Sequence, residues 1–129
     1  MPPELDHLLI PSRDRVAAAR LIAHLLGVPW AEQGSAGPFS PVYVNAHLTL
    51  DFDQWDAPVP KQHYAFRVEQ AEFDAILARL KASGLAYRST PDGPDDYQVN
   101  TAFGGNLVYW SEPDGHAWEA LTVSYARKP

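Results

Sequence analysis

Two histidines and one glutamate interrupt stretches that are otherwise apolar: His7 in Leu5–Ile10, His63 in Gln62–Val68 and Glu119 in His116–Val123. Two imidazoles and one carboxylate are the donor set of a divalent-metal site with open coordination positions. A carboxylate in an apolar strand is costly unless something neutralises it, and a cation held by both imidazoles would do so. Zn, Mn, Fe, Ni and Co all accept such ligands, and the residues do not choose among them. Two or three positions would stay free for water, O₂ or a chelating substrate. The ion could act as a Lewis acid, as a template or as an oxygen-activating centre. Taken singly, a strand histidine is usually a hydrogen-bonded structural residue and a strand glutamate often marks an exposed edge. The case for ligation rests on the three together.

The elements that must position them follow from periodicity. Leu5–Ile10 reads as a strand that Pro11 stops, with Ser12 free to cap a helix. In that helix Ala18, Leu21, Ile22 and Leu25 repeat as one buried face, and Gly27 ends it. Pro41–Asn45 and His47–Phe52 read as two strands joined by a tight turn near Ala46. A stiff, proline-containing linker, 56–61, follows, and then the order begins again. Gln62–Val68 is a strand. Phe73, Ile76, Leu77 and Leu80 repeat the helical spacing, Gly84 ends that helix, and Asn106–Ser111 and His116–Val123 are strands joined by the turn Glu112–Gly115. His7 and His63 are 56 residues apart and Gly27 and Gly84 are 57 apart, which suggests an internal duplication. The expectation is one α+β domain, 1–129, made of modules 1–55 and 62–125.

Strand parity then places the candidates. His7 shares a face with Leu5 and Leu9, His63 with Ala65 and Arg67, and Glu119 with Ala117 and Leu121. Tyr64, Phe66 and Val68 point the other way, toward the second helix. All three candidate ligands thus belong to faces away from the helices. Tyr109, on the strand before Glu119, could donate a hydrogen bond into the same cavity as a catalytic or positioning group, or pack with Trp110 and Trp118. Tyr43, Asn45, Arg67 and Asn100 are weaker pocket candidates. His24 falls on the polar side of its helix, His116 is suited to fastening a turn, and His47 is an outside candidate for a contact.

Composition narrows the partners. The chain has 129 residues, a formal charge of −6 and no cysteine. Acidity without a Lys/Arg cluster argues against nucleic acid or an anionic membrane as partner. The lack of cysteine excludes disulfides and thiolate metal sites. No apolar run approaches the roughly 20 residues of a membrane span, and no signal peptide is visible, so cytoplasmic placement is the default expectation. Fifteen aromatic residues (four Trp, six Tyr, five Phe) are enough to line a pocket for a small molecule. Gly104–Gly105 lacks the pattern of a dinucleotide-binding loop.

Leu5–Asp6–His7–Leu8, His63–Tyr64–Ala65–Phe66 and the run from Val108 to Glu119 with Pro113–Asp114–Gly115–His116 at its centre occur in this order over nearly the whole chain. In this the sequence resembles the vicinal oxygen chelate superfamily, which includes glyoxalase I, fosfomycin-resistance thiol transferases, bleomycin-binding proteins and extradiol dioxygenases. The resemblance implies paired βαβββ modules forming a cupped mixed sheet with helices on the outer face. It implies a divalent ion on His7, His63 and Glu119, with Tyr109 at a substrate-contacting position. It also implies a homodimer with sites shared between subunits. The substrate would be a small molecule that chelates the ion through adjacent oxygens. A metal-free, antibiotic-sequestering protein of the bleomycin-resistance type is the alternative. Several family features differ: Leu48–Thr49–Leu50 offers no good ligand where glyoxalase I has a fourth one, Leu9 replaces a threonine of the fosfomycin enzymes, Phe103–Gly104–Gly105–Asn106–Leu107 replaces their serine-rich potassium loop, and the additional catalytic histidine of the extradiol dioxygenases has no counterpart that the sequence places.

Overall fold

The structure, a computed structural model, describes residues 1–127. The chain forms two compact units, Met1–Pro60 and the part from Lys61 onward. The first contains β1 (His7–Ser12), α1 (Arg15–Leu26), β2 (Ser40–Tyr43) and β3 (Thr49–Gln54). The second contains β4 (His63–Arg67), α2 (Gln70–Ala82), β5 (Tyr87–Arg88), β6 (Leu107–Ser111) and β7 (Ala117–Leu121).

The two units repeat one topology. In the first, the sheet order is β1-β3-β2, with β1 parallel and β2 antiparallel to β3. In the second it is β4-β7-β6-β5, with β4 parallel to β7 and the other pairs antiparallel. The place of β5 is taken in the first unit by one bridge, Trp30 to Val42. The duplication seen in the order of motifs is therefore a duplication of strand pairing.

Local chemistry explains where the elements begin and end. Pro11 does not stop β1, which runs on to Ser12. β1 lies at the border of its sheet, where a residue without an N–H is tolerated. The helix cap shifts accordingly to Asp14, whose Oδ1 accepts from the N–H of Ala17 at 3.1 Å. Ser12 supports that cap, its hydroxyl oxygen accepting from the N–H of Asp14 at 3.1 Å. α1 ends on Gly27 at φ 70°, and α2 ends on Ser83 with Gly84 directly after it at φ 68°, a left-handed conformation that costs other residues about 1–2 kcal/mol.

α1 buries Ala18, Ile22 and Leu25 together with Ile10, Leu50 and Phe52 of its sheet. Each of the larger side chains contributes roughly 1.5–3 kcal/mol relative to exposure. Leu21, expected on the buried face, is only half-buried. In the second unit Phe73, Ile76 and Leu80 of α2 are buried, and so are Trp110 and Trp118. The Trp118 ring stacks on Phe66 at 6.2 Å and lies 4.7 Å from Tyr64. These partners occupy the β4 face opposite His63, as the alternation predicts.

The β6–β7 turn is fastened by a buried carboxylate. Glu112 accepts from the N–H of His116 at 3.1 Å and from the indole N–H of Trp118 at 3.0 Å. His116 in turn accepts, through Nδ1, from the N–H of Gln62 at 3.1 Å. The N–H of Ala117 donates to the Gln62 carbonyl at 2.8 Å. Gln62, the residue directly before β4, is thus anchored by a turn some fifty positions downstream, and His116 acts as the turn-fastening residue its setting suggested. No helix among the described residues is long and apolar enough to cross a membrane.

Candidate functional site

Registered neighbours across a sheet share a face. In the second unit Ala65, Glu119, Tyr109 and Arg88 form one such row across all four strands. His63, Ala117 and Ser111 form the next row. The face opposite α2 therefore gathers an imidazole, a carboxylate, a phenol and a guanidinium.

His63 and Glu119 meet: Nε2 lies 2.9 Å from Oε1. Glu119 is completely buried, whereas the His63 side chain is 44% exposed. The phenol of Tyr125 also donates to Glu119 Oε1, at 2.6 Å. The hydroxyl of Tyr109 lies 3.2 Å from that of Tyr125, and since Tyr125 donates to the carboxylate, Tyr109 donates to Tyr125. Burial pushes both phenols up from their ordinary range, and the hydrogen bond to Glu119 pushes Tyr125 up further. Both remain neutral donors near pH 7. The ring of His63 stands edge-on to Tyr109 at 5.8 Å.

One atom is left over. Glu119 Oε2 is buried and has no hydrogen-bond partner among the described residues. An uncompensated buried carboxylate oxygen carries a desolvation cost of about 1–3 kcal/mol or more. With an accessible imidazole beside it, this donor set fits a divalent cation, which would satisfy Oε2 and share His63.

His7 stands in the first unit. Its side chain is 57% exposed, and its Nδ1 lies 2.8 Å from Asp6 Oδ2. That hydrogen bond raises the imidazole pKa, with nearby Asp51 adding to the effect. It also assigns the Nδ1 proton, so that Nε2 presents its lone pair, the arrangement found where a carboxylate orients a metal-binding histidine. Asp51 is a residue the sequence did not single out. Leu9 pairs with Asp51 as Ala65 pairs with Glu119, and in each case the histidine lies two residues earlier. Asp51 is thus the first unit's counterpart of Glu119. Asp51, in β3, directly follows Leu48–Thr49–Leu50. Burial raises the Asp51 pKa and His7 partly offsets that rise. Among the described residues, no group of three or more His, Cys, Asp or Glu is already gathered as a metal cluster.

Several weaker candidates have structural tasks. Asn45 Oδ1 accepts from the N–H groups of His47 and Leu48 and closes the β2–β3 turn. His47 is in that turn rather than in a strand, with Nδ1 3.4 Å from Glu4. The Asn100 amide donates to the Ser89 carbonyl at 3.0 Å. Tyr43 and His24 are exposed. Arg67 lines a separate polar groove with Glu69, Glu72 and Thr122.

A larger groove of about 870 Å³ opens beside His63. Its lining includes Lys61, Gln62, Ser111, Ala117, Asp95 and the side chain of Arg88. Arg88 and Tyr125 were not evident beforehand. Arg88 occupies a two-residue strand with no periodic signal, and Tyr125 follows β7 in an irregular segment.

No family model matches the sequence, and no curated protein matches it. Solved structures do. The chain is 41% identical to Oxidase ChaP-H1, with 98% of this chain and 100% of that one covered and a TM-score of 0.88. It is 33% identical to Oxidase ChaP-H2, with 98% of each chain covered and a TM-score of 0.89. A glyoxylase/bleomycin resistance protein/dioxygenase domain from Frankia sp. EAN1pec shares the fold at 17% identity, with 98% of this chain and 96% of that one covered and a TM-score of 0.71. Paired β-α-β units, a histidine and a glutamate on registered strands, and full-length similarity to these proteins agree: the chain belongs to the vicinal oxygen chelate superfamily.

Proposed function

We propose that the protein is a metal-dependent enzyme that oxidises a small organic molecule bearing adjacent oxygens, with His7, His63 and Glu119 as the ligands. The observation that carries this reading is the buried Glu119 carboxylate, which has one oxygen unpartnered and the other beside the imidazole of His63. Similarity to two oxidases over the whole chain favours oxidation over the other chemistries of the superfamily. A set of two histidines and one carboxylate suits iron and O₂. O₂ would be the oxidant and the substrate the electron donor. When bound, the ion supplies Lewis acidity to adjacent substrate oxygens and, with iron, redox capacity.

The chain's own residues prepare that chemistry. Tyr125 holds Glu119 in place by donating to Oε1. Asp6 fixes the tautomer of His7. Tyr109, whose O–H rests on Tyr125, is the group suited to turn that hydrogen bond toward a substrate oxygen. Asp51 is available as a further oxygen donor near His7. The small side chain of Ala117 leaves room over the sheet between His63 and Ser111.

The test is metal binding before activity. Protein purified without chelator and titrated anaerobically with Fe²⁺, Mn²⁺ and Zn²⁺ should bind one ion per site. His63→Ala and Glu119→Gln should each weaken binding by about 100-fold or more while far-ultraviolet circular dichroism stays unchanged. Metal-loaded protein should then consume O₂ in the presence of catechols or other vicinally oxygenated aromatics. Full affinity for small aromatic ligands without any metal would instead favour sequestration.

A further inference from the structure

Arg88 is a buried cation that the proposed chemistry does not use. Its side chain is 11% exposed and lines the groove beside His63. A guanidinium has five N–H donors. Here Nε donates to the Pro91 carbonyl at 3.0 Å, and one terminal nitrogen donates to the Ser111 hydroxyl at 3.1 Å. The other terminal nitrogen faces Asp95 at 3.9 Å, too far for a hydrogen bond. Asp95 is itself 53% exposed. So a charge taken largely out of water is met by one distant, solvated carboxylate. A charge in such a setting costs stability unless a better partner arrives.

Position says what that partner would be. Ser111 belongs to the row of His63 and Ala117. The Arg88 guanidinium therefore leans from its own row into the row of the imidazole. Two interstrand spacings, roughly 10 Å, separate β4 from β6, and the floor between them is Ala117. Planar forks of N–H donors recognise carboxylates and similar oxyanions in a two-pronged manner.

We propose that Arg88 binds an anionic oxygen group, a carboxylate or an equivalent acid, at the end of the substrate remote from the ion. Asp95 holds that place loosely until the substrate displaces it. This deepens the proposed function and rests on it for the position of the reacting end. It narrows the substrate class to elongated acids with adjacent oxygens at one end and an acidic group about 10 Å away. The net charge of −6 makes the protein unattractive to anions in general, so a preference for an acid must arise locally.

Caffeate and its methyl ester are suitable probes, because both carry the catechol and only the acid carries the distal charge. Calorimetric titration of the wild type should show caffeate binding at least tenfold more tightly than the ester. Arg88→Gln should erase that preference without changing metal stoichiometry or affinity for the ester. Asp95→Asn should tighten caffeate several-fold. Equal affinity of the wild type for acid and ester overturns the proposal, and so does failure of both to bind at millimolar concentration. A preference that survives Arg88→Gln also overturns it. Should Arg88→Gln fail to fold, the Asp95→Asn arm decides: unchanged caffeate affinity there counts against Arg88. The titrations are run with and without metal. Acid preference that persists without any metal binding leaves Arg88 standing and removes the metal reading; metal-dependent binding without acid preference does the reverse.

Discussion

Glu119 is placed where stability and function oppose each other. Its carboxylate lies wholly inside the protein, with Oε2 unpartnered among the described residues. In metal-free protein, Glu119→Gln removes a buried charge and keeps the shape, while an amide oxygen replaces the carboxylate oxygen that faces both Tyr125 and His63. The balance should favour the variant by about 1–2 kcal/mol. For a chain of this size that is a rise of several degrees in melting temperature, readable by calorimetry in the presence of chelator. The order should reverse with saturating metal, because only the wild type gains binding energy in the folded state. A variant less stable than wild type under chelator would mean that Oε2 has a partner. At this scale the sequence was informative about His63 and Glu119, since strand parity alone put them on one face. It was silent on Asp51. The partner of a given residue across parallel strands is not set by a tight turn, so the carboxylate registered beside Leu9 could not be read from the chain.

Among the elements, the segment between β5 and β6 bears most directly on the groove. Asp96 accepts from the N–H and hydroxyl of Ser89 and from the N–H of Gln98 at 3.1 Å. The Ser89 hydrogen bond is the main cause that holds the Asp96 carboxyl below its ordinary range. The sign is that of a depressed acid. The stabilisation is present above the unfolded pKa of about 3.9 and is lost as pH falls through the lower folded value. The amide resonances of Ser89 and Gln98 should therefore titrate together with a midpoint below about 3.9, and Asp96→Asn should abolish the transition. A midpoint at or above that value would mean that the latch does not form. Residues 89–97 also carry Tyr97 at φ 56°, an uncommon backbone for a bulky side chain, with its N–H donating to the Tyr87 carbonyl at 3.0 Å. Sequence periodicity located the long elements well. It missed β5, whose two residues give no period to detect, and it ended β1 early because Pro11 looked like a stop. The proline rule is a rule about lost donors, and a border strand can spare one.

For the whole molecule, the expectation of a dimer with sites shared between subunits has a specific genetic-style test. Each chain has a mass of 14.3 kDa, so light scattering should return twice that value. His7→Ala and His63→Ala variants should each be inactive. If one subunit supplies His7 and the other His63, mixing the two and allowing exchange regenerates an intact site in each heterodimer, and O₂ consumption returns to a fraction of wild type. If both histidines serve a site within one chain, mixing restores nothing. The fold was legible at this scale because the motif order repeats. The two units reproduce the same strand order around that repeat, except that Trp30 replaces a full strand.

The clamp that Glu112 and His116 place on Gln62 has a consequence for how such a chain can change. The backbone that carries His63 is anchored from a distant turn, through the His116 imidazole and the main-chain groups of Gln62 and Ala117. Whatever side chain stood at 63 would be delivered to the same spot. A lineage could therefore exchange the reactive group there, and with it the reaction, while the scaffold that presents it stays as it is.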